Sequence, residues 1–304
     1  MGPYGADFAP GGIPVHRIGF VGLGVMGEPM AVNLLRAGFR LEACDVRREP
    51  VDTLAAQGAR AVDGLGDLFG CDAVIVMVNT DAQAREVIEE LISVLHQRPA
   101  SILNMSTILP STIRGLGETA ARAGVGLLDA PVSGGPIVAQ LGRLAIMVGG
   151  KRALFDEARP VFEAMGSTIH HVGPLGAGLT LKLLNNMIAI SALPLVLEAL
   201  RVGLAQGLEL STMVDVIRAS SGNTWLTQEW QQAQLFLEFA LRDRDQLEAL
   251  VTTGLKDMEL AASFCERAGV EAPLLQDAIR SVERHGAQGL RSDLNAVMKA
   301  TRGA

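Results

Sequence analysis

The stretch Arg17-Ile18-Gly19-Phe20-Val21-Gly22-Leu23-Gly24-Val25-Met26-Gly27 decides the fold. A β-rich run passes without a break into a G-x-G-x-x-G turn, and apolar residues at helical spacing follow over Glu28–Ala37. Strand, glycine turn and helix in that order open a dinucleotide-binding unit. Gly22 permits the tight turn, Gly24 lets the backbone approach a pyrophosphate, and Gly27 lets helix and strand pack closely, with the phosphates on the helix N-terminus. Leu23, Val25 and Met26 complete the turn and count with the glycines as cofactor-binding positions.

Outward from that unit, Leu41–Asp45, Ala73–Val78, Ser101–Met105, Gly126–Ala130, Ala145–Val148 and Thr168–Val172 read as strands. Ala82–Leu95 and Ser111–Ala123 read as helices between them, the second opened by Pro110 and Ser111. The alternation predicts a parallel sheet with crossover helices. Beyond about Leu179 the spacing is helical and no strand run remains. The expected fold is therefore an α/β Rossmann-like N-terminal domain, a long interdomain helix and an all-α C-terminal domain. The expected division is a loose tail over 1–14, an NAD(P)-binding domain over 15–175 and an all-α domain over 176–304. Pro194 should kink the long helix, because proline removes a backbone hydrogen bond and crowds the preceding turn. The apolar segment Met187–Leu197 is shorter than the ~18 residues of a membrane span and reads as a buried helix, so no membrane partner is expected.

With 304 residues the chain has room for two domains and a cleft between them. A net charge of −7 without a basic stripe argues against a nucleic-acid partner. Cys44, Cys71 and Cys265 have neither the count nor the spacing of a disulfide framework or zinc site, and read as reduced thiols of a cytoplasmic protein. The first residues lack the basic and apolar segments of a secretory signal. His170 and His171 would point to opposite faces of a strand, so no metal site is expected.

At the end of the second strand, Asp45 can accept hydrogen bonds from ribose hydroxyls and repel a 2′-phosphate, which favours NAD. Arg47 and Arg48 follow at once and either could pair with a 2′-phosphate, so NADP stays open. Val78, Asn79 and Thr80, with Ser106 and Thr107, sit at carboxyl ends of strands, where α/β sheets bind ligands; ordinary loop capping is the alternative.

Asp129-Ala130-Pro131-Val132-Ser133-Gly134-Gly135 follows a strand and offers a hydroxyl beside two unobstructed backbone N–H groups. Ser133, Gly134 and Gly135 form either a cradle for a substrate carboxylate or a plain turn. Gly176-Ala177-Gly178-Leu179-Thr180-Leu181-Lys182-Leu183-Leu184-Asn185-Asn186 is a glycine hinge feeding a helix on which Lys182 and Asn186 share a face. Desolvated among Leu181, Leu183 and Leu184, Lys182 would have a lowered pKa suited to acid/base work, with Asn186 holding the substrate hydroxyl. A snorkelling lysine and a packing amide would be the bland reading.

Four blocks in order, GFVGLGVMGEPMAVNLL, DAPVSGG, GAGLTLKLLNN and GLKDMELA, resemble the β-hydroxyacid dehydrogenase family over nearly the whole chain. That family contains 3-hydroxyisobutyrate dehydrogenases, tartronate semialdehyde reductases, L-threonate dehydrogenases and the N-terminal part of 6-phosphogluconate dehydrogenases. The resemblance implies hydride transfer between NAD(P) and a small hydroxy acid or semialdehyde, in a homodimer or homotetramer. It gives Ser133, Gly134 and Gly135 the carboxylate, Lys182 the proton, Asn186 a helper role, and Lys256 a place near the nicotinamide. Trp225 resembles a position that closes the pocket, or is a core tryptophan. Pro136, Ile137, Val138 and Arg143 depart from the family pattern and should reshape the pocket rim. An imine reductase-like activity and a non-catalytic cofactor-binding module are the rival readings. The first usually has another residue at the lysine position, and the second would lack the lysine or add basic regions.

Overall fold

The computed structural model describes residues 15–96 and 98–302; the expected tail over 1–14 lies outside the described residues. Strands β1 (Arg17–Val21), β2 (Arg40–Cys44), β3 (Arg60–Ala61), β4 (Ala73–Val76), β5 (Ser101–Asn104), β6 (Gly126–Asp129), β7 (Val132–Ser133), β8 (Leu144–Gly149) and β9 (Gly166–Gly173) form one sheet. Its order, β3-β2-β1-β4-β5-β6-β8-β7 with β9 beside β8, contains the 3-2-1-4-5-6 arrangement of doubly wound dinucleotide-binding sheets. The chain reverses its direction of winding between β1 and β4, which opens a crevice at their carboxyl ends.

Six helices cross over this sheet: α1 (Gly27–Arg36), α2 (Arg48–Ala55), α3 (Asp81–Val94), α4 (Pro110–Ala123), α5 (Gly135–Gln140) and α6 (Arg152–Met165). Ile18, Phe20, Met30, Leu34 and Phe162 fill one face, while Val74, Val76, Ile88 and Leu91 fill the other. Covered on both sides, β4 is buried at every position, which explains its unbroken apolar run. The parallel pattern predicted from the sequence stops at β6. Strand β8 runs antiparallel to β6 and β7, and parallel to β9. Side-chain alternation is the same in both directions, so the reversal left no mark in the sequence pattern.

From Ala177 onward the chain is helical: α7 (Ala177–Ala205), α8 (Leu210–Arg218), α9 (Trp225–Gln228), α10 (Trp230–Arg242), α11 (Arg244–Ala268) and α12 (Pro273–Arg302), the last interrupted by non-helical Gly286. Helix α7 continues through Pro194. One forfeited hydrogen bond is outweighed there by Val196, Leu197 and Leu200, which lie in the helical core.

The segment Met187–Leu197 is not the fully buried helix expected, because Ile188 and Leu195 stand 72% and 67% exposed. Nor does its length rule out a span: α7 contains an 18-residue window long and apolar enough to cross a membrane, 22% of it buried in the chain. Core helices of water-soluble proteins meet the same criterion. Here α7 packs against β8, α11 and α12 and carries Lys182, Asn185 and Asn186.

Candidate active site

Two of the three motif glycines are demanded by packing. A Cβ on Gly22, whose φ is +95°, would lie 2.1 Å from the Met77 carbonyl oxygen, and one on Gly27 would lie 2.0 Å from that of Gly22. Gly24 differs, with nothing within 4 Å of a Cβ. An open backbone at the start of α1, beside two crowded glycines, fits a pyrophosphate laid on the turn. Leu23 is buried beneath it, Met26 half-buried and Val25 exposed.

Asp45 follows β2 and accepts hydrogen bonds from the Leu23 amide at 2.6 Å and the Arg47 amide at 2.8 Å. Burial pushes its carboxyl up, but hydrogen bonds from Arg47 and Leu23 outweigh this and hold it below its ordinary value. It therefore stays ionised at neutral pH. Arg47 is engaged with Asp45 and the Leu23 carbonyl, and Arg48 with Asp52 and Asp63. Both arginines proposed for a 2′-phosphate thus have carboxylate partners already. At the ends of β4 and β5, the Val78 amide donates to Ser106 Oγ at 2.8 Å, with Thr107 half-buried next to it.

The second group of candidate site residues gathers where α7 leaves the sheet. Asp129, fully buried at the end of β6, accepts hydrogen bonds from the amides of Gly176 (2.6 Å) and Leu179 (2.7 Å). Its carboxylate caps the α7 N-terminus, where the helix dipole favours negative charge. Close approach is essential here, since a Cβ on Gly178 would meet the Met147 carbonyl oxygen at 2.1 Å. Asp129 thereby fixes the first turn of the helix that carries Lys182. Sequence reasoning missed this residue; an acidic residue ending an apolar strand was the available signal.

Lys182 is 8% exposed, and no hydrogen bond to its ammonium is found among the described residues. Burial lowers its pKa from 10.5 to about 8, against the attraction of Asp257 and with help from Lys256. The expected source of desolvation needs correcting. Leu183 is buried, but Leu181 and Leu184 point outward at 41% and 43% exposure. Tertiary packing of α7 against β8 and α11 supplies the burial instead.

One helical turn on, Asn186 donates to Asp257 Oδ2 at 2.7 Å and accepts from Asn185 Nδ2 at 3.3 Å. Asn185 also reaches Ser133 Oγ at 3.4 Å, and Lys256 Nζ lies 3.0 Å from Asp257 Oδ1, within ion-pair range but without hydrogen-bond geometry. Lys256 Nζ donates in turn to the Asn79 carbonyl at 3.0 Å. The contacts run from the Ser133 loop through α7 and α11 back to the end of β4. They join Ser133, Asn186, Lys256 and Asn79, all singled out from the sequence, through Asn185 and Asp257, which were not. Lys256–Asp257 is accordingly no surface pair, since Asp257 is 7% exposed.

Gly134 and Gly135 have φ of +137° and +75°, and a Cβ on Gly134 would strike Val138. Val138 belongs to the core beneath the turn and not to a pocket rim, while Arg143 stands exposed beyond α5. Trp225 makes its contacts farther along α7: Nε1 donates to the Ala189 carbonyl at 2.9 Å and the ring meets Phe236 edge-on. Phe236, missed from the sequence, links it to the cradle, since the ring would touch a Cβ on Gly135 at 3.6 Å. Among the described residues, no group of three His, Cys, Asp or Glu could hold a metal ion.

Residues 17–173 match the NAD binding domain of 6-phosphogluconate dehydrogenase, and residues 176–301 match the NAD-binding domain of NADP-dependent 3-hydroxyisobutyrate dehydrogenase. The chain belongs to the β-hydroxyacid dehydrogenase family. Within that family it is 36% identical to the NAD-dependent L-serine dehydrogenase of Pseudomonas aeruginosa, over 86% of this chain and 89% of that protein. It is 33% identical to the 2-(hydroxymethyl)glutarate dehydrogenase of Eubacterium barkeri, over 93% and 94% of the two chains. The solved 3-hydroxyisobutyrate dehydrogenase of Mycobacterium tuberculosis with L-serine superposes with a TM-score of 0.78 at 28% identity, covering 95% of this chain and all of that one. This β-hydroxyacid dehydrogenase is an NAD(P)-dependent oxidoreductase.

Proposed function

We propose that the enzyme oxidises a small β-hydroxy acid, or reduces the matching semialdehyde, with Lys182 moving the hydroxyl proton. The observation that carries this reading is a buried lysine with no hydrogen-bond partner among the described residues and a pKa of about 8, one turn from an amide locked by Asn185 and Asp257. Neutral Lys182 takes the proton during oxidation, and its protonated form returns one during reduction; near pH 8 both forms are populated. Asn186 has one amide hydrogen left to hold the substrate oxygen. Ser133, Gly134 and Gly135 hold the carboxylate, and Trp225 closes the far side through Phe236.

The cofactor would be held by Gly22, Leu23, Gly24, Val25, Met26 and Gly27, with Asp45, Val78, Asn79, Thr107 and Lys256. When bound, it accepts or supplies the hydride. Ionised Asp45, with Arg47 and Arg48 engaged elsewhere, supports NAD as the preferred form.

We place the enzyme in the cytoplasm, with its domain division at the linker between β9 and α7. It works as a homodimer or homotetramer: Leu181, Leu184, Ile188, Leu195 and Val202 line an exposed side of α7, an apolar stripe ~32 Å long that a second copy would cover.

A spectrophotometric screen of NAD and NADP against 3-hydroxyisobutyrate, L-serine, D-glycerate, L-threonate and 4-hydroxybutyrate tests the class. Oxidation of at least one is expected. Inertness toward all of them in both directions, with reduction of cyclic imines, would replace this reading by an imine reductase.

A further inference from the structure

We propose that the helical domain holds the non-reacting part of the substrate, an apolar substituent of about six to eight carbons on the β-hydroxy acid. This rests on the hydroxy-acid reading above. The observation is a cavity of about 200 Å³ among α7, α10, α11 and α12, walled by Leu193, Leu237, Leu250, Val251, Leu290 and Leu294. Glu198 and His285 on its border are exposed, so the cavity opens to solvent, and a concave, mostly apolar space of this kind is suited to taking up an apolar ligand group. An aliphatic cavity of ~150 Å³ takes up benzene, so this one accommodates a phenyl ring with one or two methylenes.

Its position ties it to the reaction. Three segments that bear site groups continue directly into its wall. Ala189 and Ile190 follow Asn186 on α7, a rise of ~4.5 Å; Gly254 and Leu255 immediately precede Lys256 on α11; and Phe236 borders the cavity while facing Gly135. Trp225 and Phe236, 6.0 Å apart and edge to face, form the partition between carboxylate cradle and cavity, with Trp225 pinned to the Ala189 carbonyl. Glu198, Ser281, His285 and Asp293 also border it: Glu198 lies ~18 Å along α7 from Asn186, His285 Nδ1 is 3.1 Å from the Ser281 carbonyl oxygen, and Asp293 is paired with Arg201. An acid bound with its hydroxyl at Lys182 and its carboxylate at Ser133 would send a substituent past the partition into this space.

The test is a series of 3-hydroxypropanoates carrying hydrogen, methyl, butyl, hexyl or benzyl at carbon 2. Expected is a rise in kcat/KM of about fourfold per methylene until the cavity fills. Ala240→Phe and Val251→Phe, which fill the cavity from two different helices, should flatten that rise while turnover of the unsubstituted acid is retained. A flat series in the wild type overturns the proposal, as it would if a second copy of the chain plugged the cavity; so does a rise unchanged in both variants. If no acid is oxidised, the hydroxy-acid reading fails separately. Calorimetric binding of 2-benzyl-3-hydroxypropanoate then decides the cavity alone: at least tenfold tighter binding than the unsubstituted acid, lost in the filled variants, sustains it, and equal binding overturns it.

Discussion

Replacing Lys182 by Met should make the protein more stable while removing its activity. The side chain is 8% exposed and its pKa falls from 10.5 to about 8, chiefly through burial. Below pH 8 the folded protein must keep a proton on a desolvated ammonium that the unfolded chain hydrates freely. The gap is 10.5 − 8 = 2.5 units, and at 1.36 kcal/mol per unit this amounts to about 3 kcal/mol. Methionine preserves most of the volume without the charge. The attraction of Asp257 is already contained in that net lowering, and Lys256 and Asn186 remain beside Asp257 in the variant; imperfect packing of the methionine is what reduces the gain. A net stabilisation of about 1–3 kcal/mol at pH 7 is expected. Its pH dependence has a definite sign. Between pH 8 and 10.5 the unfolded chain binds more protons at this site, so wild-type stability climbs relative to Lys182→Met, and the difference closes above pH 10.5. Thermal unfolding of both proteins across pH 7 to 11 reads this directly. Equal melting temperatures at pH 7, or a difference that stays constant through pH 11, would refute a desolvated, charge-strained Lys182.

Gly24→Ala and Gly27→Ala should separate binding from folding. The first meets empty space, so melting is unchanged while cofactor affinity falls; the second drives a Cβ to 2.0 Å from a carbonyl oxygen, so the fold itself loses several kcal/mol, on the order of 3 or more. Calorimetric titration of cofactor beside thermal melts distinguishes the two. Asp257→Asn removes the carboxylate that opposes the lowering of Lys182, so the rise of the oxidation rate with pH should move to lower pH by roughly one unit while Asn186 keeps an acceptor. An unshifted profile would remove Asp257 from that role. Ile188→Glu places a charge at the centre of the exposed α7 stripe, and sedimentation should show a smaller species than the wild type if that stripe is the contact between copies.

The features legible in the sequence are those whose cause is local. Gly22 and Gly27 could be read because positive φ and close approach admit no side chain, and β4 because burial on both faces makes it continuously apolar. Lys182 stood out because a glycine hinge precedes it. What escaped depends on distant partners. Asp129 acts on amides 47 and 50 residues away, and Asp257 meets Asn186 across 71 residues; an acidic residue at the end of an apolar strand or on a helix does not reveal such a partner. Two-residue β3 and β7 are too short to show a period, and the exposed side of α7 looked like core because Ile188 and Leu195 are apolar whether they face a domain interior or bare solvent.

The central claim is that Lys182 moves the proton, and the most direct measurement is the pH dependence of kcat/KM for hydroxy-acid oxidation in the wild type and in Lys182→Ala, with cofactor affinity measured alongside. The predicted result is a wild-type rate that rises with pH to a plateau with an apparent pKa near 8, and a variant that binds cofactor as before yet turns over about 10²–10⁴-fold more slowly without that rise. A variant with near-wild-type turnover and the same rise would contradict it.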